Sequence, residues 1–169
     1  MKKLLPFIFF FMCTCLFGIT IQKNYELNKE VSLGVEKGVY KAVVLMSKEE
    51  KITSGIVWTF TSKRRFWISA FTPQDMKKFN DEAIQMLDMI ENSENYDKFC
   101  KSGQTAYYDD KIHKLTMKSD GSTVSFELKE GSDTFELTQM QLKSLVSIFN
   151  ETLDFAENSR IDFEKSISY

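Results

Sequence analysis

Proline and glycine are scarce in this 169-residue chain, at two and seven residues. That excludes a Pro/Gly-rich linker between separate modules. Histidine occurs once, as His113, and cysteine three times, as Cys13, Cys15 and Cys100. One histidine and so few thiols exclude a disulfide scaffold and leave little for a metal centre. Net charge is small, −2, so no strong basic field advertises nucleic acid. The motifs G-x-S-x-G, H-E-x-x-H, G-x-x-x-x-G-K, G-x-G-x-x-G and the EF-hand loop are all missing. Uncharged runs long enough to approach a membrane span occur once, at the N-terminus, which excludes a multi-span protein. The 43% apolar and 27% charged residues are globular proportions. The length suits one domain.

The N-terminus carries an address. Lys2 and Lys3 form a basic start, and residues 4–19 follow without a charge, with Phe7, Phe9, Phe10 and Phe11 at their centre. This pattern predicts a secretory signal peptide over residues 1–20, with small residues Gly18 and Thr20 placed for cleavage. An uncleaved membrane anchor is the alternative, although eighteen apolar residues barely span a bilayer. A lipid-attachment cysteine fits less well, because neither Cys13 nor Cys15 follows a Leu-small-small run. The expected destination is therefore periplasmic or secreted, with a membrane-anchored form as alternative. Removal of residues 1–20 leaves 20 basic and 24 acidic side chains, net −4, and only Cys100. A lone thiol cannot form an internal disulfide, and Cys100 is expected to be a buried small hydrophobe.

Residues 56–92 align with residues 122–158 at an offset of 66 without a gap, with eight identities in 37 positions. Phe60 meets Phe126, Thr72 meets Thr138, and Leu87-Asp88 meets Leu153-Asp154. Both stretches carry the same physical roles. Thr72-Pro73 and Thr138-x-x-Gln141 are helix N-caps. The first cap precedes an apolar stripe of Met76, Phe79, Ala83, Leu87 and Ile90. The second precedes Leu142, Leu145, Val146, Phe149, Leu153 and Ala156. Ahead of each cap lies an alternating hairpin: Trp58 and Phe60 with Trp67, Ser69 and Phe71, and Val124, Phe126 and Leu128 with Phe135 and Leu137.

Further strands are expected upstream, at 31–35 and 41–46 in the first half and 105–108 and 112–117 in the second. Ser119-Asp120-Gly121 supplies a tight turn, and 47–55 a longer loop. The prediction is one α+β domain over 21–169, made of two tandem β-β-β-β-α repeats with pseudo-twofold symmetry. Repeat 1 spans about 30–92 and repeat 2 about 104–158, joined near 91–96, with a tail at 159–169. Antiparallel sheets pack on two helices. This order of elements resembles the Whirly and PUR-alpha single-strand binders. The likeness covers element order alone and implies a fold, not a function.

The two halves differ on the strand face opposite the core. The first carries Phe66, Ile68 and Ala70 where the second carries Ser132, Thr134 and Glu136. Beside the apolar set lies Lys63-Arg64-Arg65, with two of the three arginines. An apolar patch flanked by arginine has the composition of a binding hot spot, so Lys63, Arg64, Arg65, Phe66 and Ile68 are the candidate binding residues. Cover by the tail, with Ile161, Phe163 and Ile167 alternating as a strand, is the competing expectation. Trp58 belongs to the core series. His113, near Asp109 and Asp110, reads as a strand residue beside a charged turn rather than a metal ligand. Asn150-Glu151-Thr152 matches a glycosylation sequon inside a helix.

The expectation is a non-catalytic exported protein with no cofactor and no metal. It binds a protein partner or a second copy of itself. A small hydrolase or a single-strand nucleic-acid binder are the alternatives, the latter disfavoured by charge.

Overall fold

The computed structural model describes residues 21–49, 51–63, 66–102, 106–109, 113–130 and 133–168. Residues 1–20, where a signal peptide is expected, and Arg64, Arg65, Asp110 and Ser132 lie outside these. The described residues form two four-stranded antiparallel sheets and three helices. Sheet A comprises β1 (Lys23–Leu33), β2 (Glu36–Lys48), β3 (Ile52–Ser62) and β4 (Phe66–Phe71), in that order. Two helices follow, α1 (Pro73–Glu91) and α2 (Ser93–Ser102). Sheet B comprises β5 (Ala106–Asp109), β6 (His113–Ser119), β7 (Val124–Glu130) and β8 (Asp133–Leu137), again in chain order. The long helix α3 (Gln139–Ile167) ends the fold.

The predicted caps form. Thr72 Oγ1 accepts from the Asp75 amide, with Pro73 in the first turn. Thr138 Oγ1 accepts from the Gln141 amide while Gln141 Oε1 accepts from the Thr138 amide, a full capping box. Gln141 also donates to the Gly34 carbonyl at 2.6 Å. Gly34 has φ +60°, and a Cβ there would stand 3.0 Å from the Glu136 carbonyl. Glycine thus lets the β1–β2 turn seat against β8. At the opposite hairpin, Asp120 accepts from the amides of Ser122 and Thr123 and from both hydroxyls. Gly121 takes φ +96° beside it.

One hydrophobic cluster draws on both sheets and the three described helices. It contains every apolar stripe residue predicted for α1 and all those of α3, with Leu153 half-buried at its edge. Phe135 of sheet B packs against Phe60 and Trp67 of sheet A, with ring centroids 6.1 and 4.7 Å apart. Trp58 is a core residue, in edge contact with Trp67 and Phe149.

Four sequence expectations need correction. The loop at 47–55 is mostly strand, because β2 runs to Lys48 and β3 resumes at Ile52. Sheet A starts at Lys23, ahead of the first repeat boundary near 30, since β1 pairs with β2 along its whole length. The tail at 159–169 is not a strand. Helix α3 runs to Ile167, and its 3.6-residue period places Ser159 and Phe163 in the interior. Phe163 joins the main core, so the tail does not cover the outer face of sheet A.

The fourth correction concerns the gapless offset, which fails across the last hairpin of each half. Phe71 pairs with Ile56, whereas Leu137, 66 residues on, pairs with Phe126. By register the counterpart of Phe126 is Ile56 rather than Phe60, and that of Trp58 is Leu128 rather than Val124. The shift is four residues, an even number, so inward and outward faces keep their parity.

Candidate functional site

Strand β4 alternates as the sequence requires. Trp67, Ser69 and Phe71 are buried on the core side, while Phe66, Ile68 and Ala70 point the other way. Phe66 is 55% exposed, and Ile68 and Ala70 are half-buried. The register aligns these residues in rows across the sheet: Val39–Thr61–Phe66, Lys41–Thr59–Ile68 and Val43–Val57–Ala70. Val39 is 43% exposed in the same row as Phe66, with Thr61 between them, an apolar residue that the sequence reading did not single out.

Further along this face, Val43, Leu45 and Val57 form a second hydrophobic cluster, separate from the main core and joined by Ile21, Ile68 and Ala70. Its far margin, on β1, is polar: Asn24, Glu26, Asn28 and Glu30 are exposed on alternate residues. Glu26 pairs with Lys41 at 2.8 Å. Lys63 is exposed in the β3–β4 turn, at the Phe66 end of the sheet. The structure therefore brings Lys63, Phe66 and Ile68 to one side of sheet A, with Arg64 and Arg65 outside the described residues.

The matching face of sheet B is hydrophilic. Ser125, Lys129, Thr134 and Glu136 are exposed, and Lys118 pairs with Glu127 at 2.7 Å. The contrast that the sequence suggested at three positions holds between β4 with the middle of β2 and β3 on one side and β6–β8 on the other, while the β1 margin of sheet A is polar.

His113 is a strand residue, as expected, at the start of β6, and it belongs to the core. It is 2% exposed, its Nε2 lies 2.7 Å from Ser69 Oγ, and its ring stacks on Phe71 at 3.6 Å. Among the described residues no group of three or more His, Cys, Asp or Glu side chains could hold a metal. Cys100 is buried, as expected. The sequon at Asn150 lies within α3, with Thr152 fully buried and bonded to Tyr40 and Ile148.

Carboxylates with shifted acidity are spread over the surface. Hydrogen bonds from Thr123 and Ser122 hold Asp120 far below the usual range. A bond from Tyr25 and another from Lys23 lower Asp162, and Arg160 lowers Glu157. These causes are local turn and ion-pair geometry. The concavities near the start of α3 are open grooves between the β1–β2 hairpin and the helix, lined by Glu30, Lys37, Val39 and Met140 among others. Among the described residues, no helix is long and apolar enough to cross a membrane. The chain matches no protein-family model, and no curated protein matches it.

Proposed function

We propose that the chain is an exported interaction protein that binds a protein partner through the outer face of sheet A. The observation that carries this reading is the inequality of the two outer faces. Sheet A carries Phe66, Ile68 and Ala70 along β4 and Val39 on β2 on one face, with Thr59, Thr61 and Lys41 among them, where sheet B presents lysine, threonine and glutamate. A fold that accepts polar residues on one such face has no general need for apolar ones on the other. Exposed rings next to apolar side chains and cations are the composition of binding hot spots. Lys63, Phe66 and Ile68 are the contact residues of this reading, together with Arg64 and Arg65. Export rests on the basic start and uncharged run of residues 1–20.

The reading includes descent of the two halves from one β-β-β-β-α unit with pseudo-twofold symmetry. Support comes from the helices. Thr72 and Thr138 cap α1 and α3 exactly one offset apart in sequence, and the Asn80 side chain donates to the Val146 carbonyl, again 66 residues on. Contact between equivalent positions is what a twofold axis produces.

The test is the double substitution Phe66→Ser and Ile68→Thr in the processed chain, which copies the second half into the first. The variant should keep its melting temperature and lose its partner in affinity capture from the exported fraction, or its dimer in light scattering. A variant that keeps fold, mass and partners unchanged overturns the reading.

A further inference from the structure

Strand β4 is an edge strand of sheet A, and the hairpins before it set which way its backbone groups point. The two-residue turn Gly34-Val35 joins β1 to β2, so the closing pair Leu33 and Glu36 exchanges both backbone bonds. Bonded pairs recur at every second residue, and the even-numbered residues of β2 therefore face β1. The Gln22 amide agrees, donating to the Met46 carbonyl at 2.9 Å. The odd-numbered residues of β2 then bond β3, through Val39–Thr61, Lys41–Thr59 and Val43–Val57. The even-numbered residues of β3 bond β4, through Ile56–Phe71, Trp58–Ser69 and Phe60–Trp67. The amides and carbonyls of Phe66, Ile68 and Ala70 are left pointing away from the sheet. Among the described residues no strand pairs with them.

Such an edge invites a further strand unless charge, proline or a bulge blunts it. The other three sheet edges carry charge. β1 has Lys23, Glu26, Lys29 and Glu30, β5 ends on Asp109, and β8 has Asp133 and Glu136. β4 reads Phe-Trp-Ile-Ser-Ala-Phe, with no charge and no proline, and its register with β3 is unbroken.

We propose that β4 pairs with β4 of a second copy of this chain, antiparallel about a twofold axis at Ile68, joining two copies of sheet A into one continuous sheet. Three observations select a second copy as the added strand. The first is register. A twofold axis must set outward residues against outward residues, and with these at 66, 68 and 70 it passes through the middle one. Ile68 then faces Ile68 of the second copy, and Phe66 faces its Ala70, so all three residues are bonded. The second is fit. Paired residues share a face, which places the large ring of Phe66 beside the methyl group of Ala70 at both ends. The third is charge. The paired strands are neutral, and the same register carries Lys63 toward the start of α1 of the second copy, where Asp75 lies in the first turn. Opposite charges thus approach each other beyond both ends of the pair.

The pairing goes beyond the reading of the outer face, because it stands on the backbone of β4 and needs no other protein there.

The test uses the chain as recovered from expression of the full-length sequence. Light scattering over a dilution series should show a dimer. Ile68→Cys should form a disulfide between copies under mild oxidation, since the Cα atoms of a bonded pair lie about 5.5 Å apart, within disulfide range. Phe66→Cys alone should form none with itself, because the two copies of residue 66 lie about 13 Å apart along the strands. Phe66→Cys combined with Ala70→Cys should link 66 to 70 between copies. Peptide mapping reads each link. Ile68→Lys, which sets two like charges on the axis, should give a folded monomer. If that variant fails to fold, the cysteine variants still decide. A monomer at every soluble concentration, or a dimer without the link at residue 68, would overturn the proposal. So would Phe66→Cys linking to itself as readily as Ile68→Cys, which would mean stacked faces rather than paired edges. A monomer that still captures a protein through the outer face removes the pairing and leaves that reading, whereas the link at residue 68 in a chain that captures no protein does the reverse.

Discussion

Ser69 and His113 join the two sheets in the interior: Ser69 Oγ on β4 lies 2.7 Å from His113 Nε2 on β6, and both residues are buried. The imidazole also stacks on Phe71, two residues from Ser69 on the same face of β4. One polar contact and one ring contact thus tie β4 to β6.

Ser69→Ala should destabilise the protein by about 1–3 kcal/mol, because it takes the Ser69 partner from a buried imidazole nitrogen. Urea unfolding measures the loss. His113→Phe combined with Ser69→Ala should recover part of it, since both polar partners are then gone and the stack on Phe71 is kept. A double variant as unstable as the sum of the single ones would show that the pair does not act as a unit.

Phe60 and Phe126 lie in different sheets and share one core. Phe60→Ala and Phe126→Ala should each cost about 3–5 kcal/mol. Each should shift a single calorimetric transition of the entire chain. Separate transitions, with only one moved by each substitution, would contradict a shared core. Loss of the cap in Thr138→Ala should be milder, about 1 kcal/mol.

Helix α3 keeps its packing to its last turns. Tyr25 donates to Asp162 at 2.6 Å, Lys23 pairs with the same carboxylate at 3.0 Å, and Phe163 is buried. Phe163→Ala should therefore cost about 3–5 kcal/mol, as truncation of a core ring does. Chemical denaturation provides the check, and a cost below about 1 kcal/mol would mean that the last turns are dispensable.

Tyr40 gives the stability a limit at high pH. Burial raises its phenol well above the ordinary 10.0, against a smaller opposite effect from the hydrogen bond to Thr152. Thr152 donates its proton to the Ile148 carbonyl, so Tyr40 is the donor in their 2.9 Å contact and must stay neutral. The unfolded chain ionises near pH 10 and the folded one does not. The contribution is thus complete below pH 10 and declines above it, by up to about 1.4 kcal/mol per pH unit for one group. Melting temperatures between pH 9 and 12 should fall, and Tyr40→Phe should flatten that fall while lowering stability at neutral pH.

Local chemistry made much of the fold legible in the sequence. Thr72-Pro73 and Thr138-x-x-Gln141 start helices because their side chains serve backbone amides within the same turn. The alternation at Trp67, Ser69 and Phe71 fixes a buried face because successive strand residues point to opposite sides. The same alternation placed Phe66, Ile68 and Ala70 outward. Local pattern could not decide register. The four-residue difference between the Phe71–Ile56 and Leu137–Phe126 pairings depends on the span of each hairpin, which an ungapped alignment hides.

Nor could local pattern separate a strand from a helix at Ile161, Phe163 and Ile167. There the packing of α3 on sheet A outweighed a short alternation. Asn80 interrupts an apolar stripe in sequence and becomes a tie between α1 and α3 in space, donating to Val146 and Asn150. The junction of His113 with Ser69, and the gathering of Val43, Leu45 and Val57 with Ile68 and Ala70 on the outer face of sheet A, are decided only by tertiary structure. Each joins strands or segments far apart in the chain, where no short-range rule operates and the packing of the whole core sets which surfaces meet.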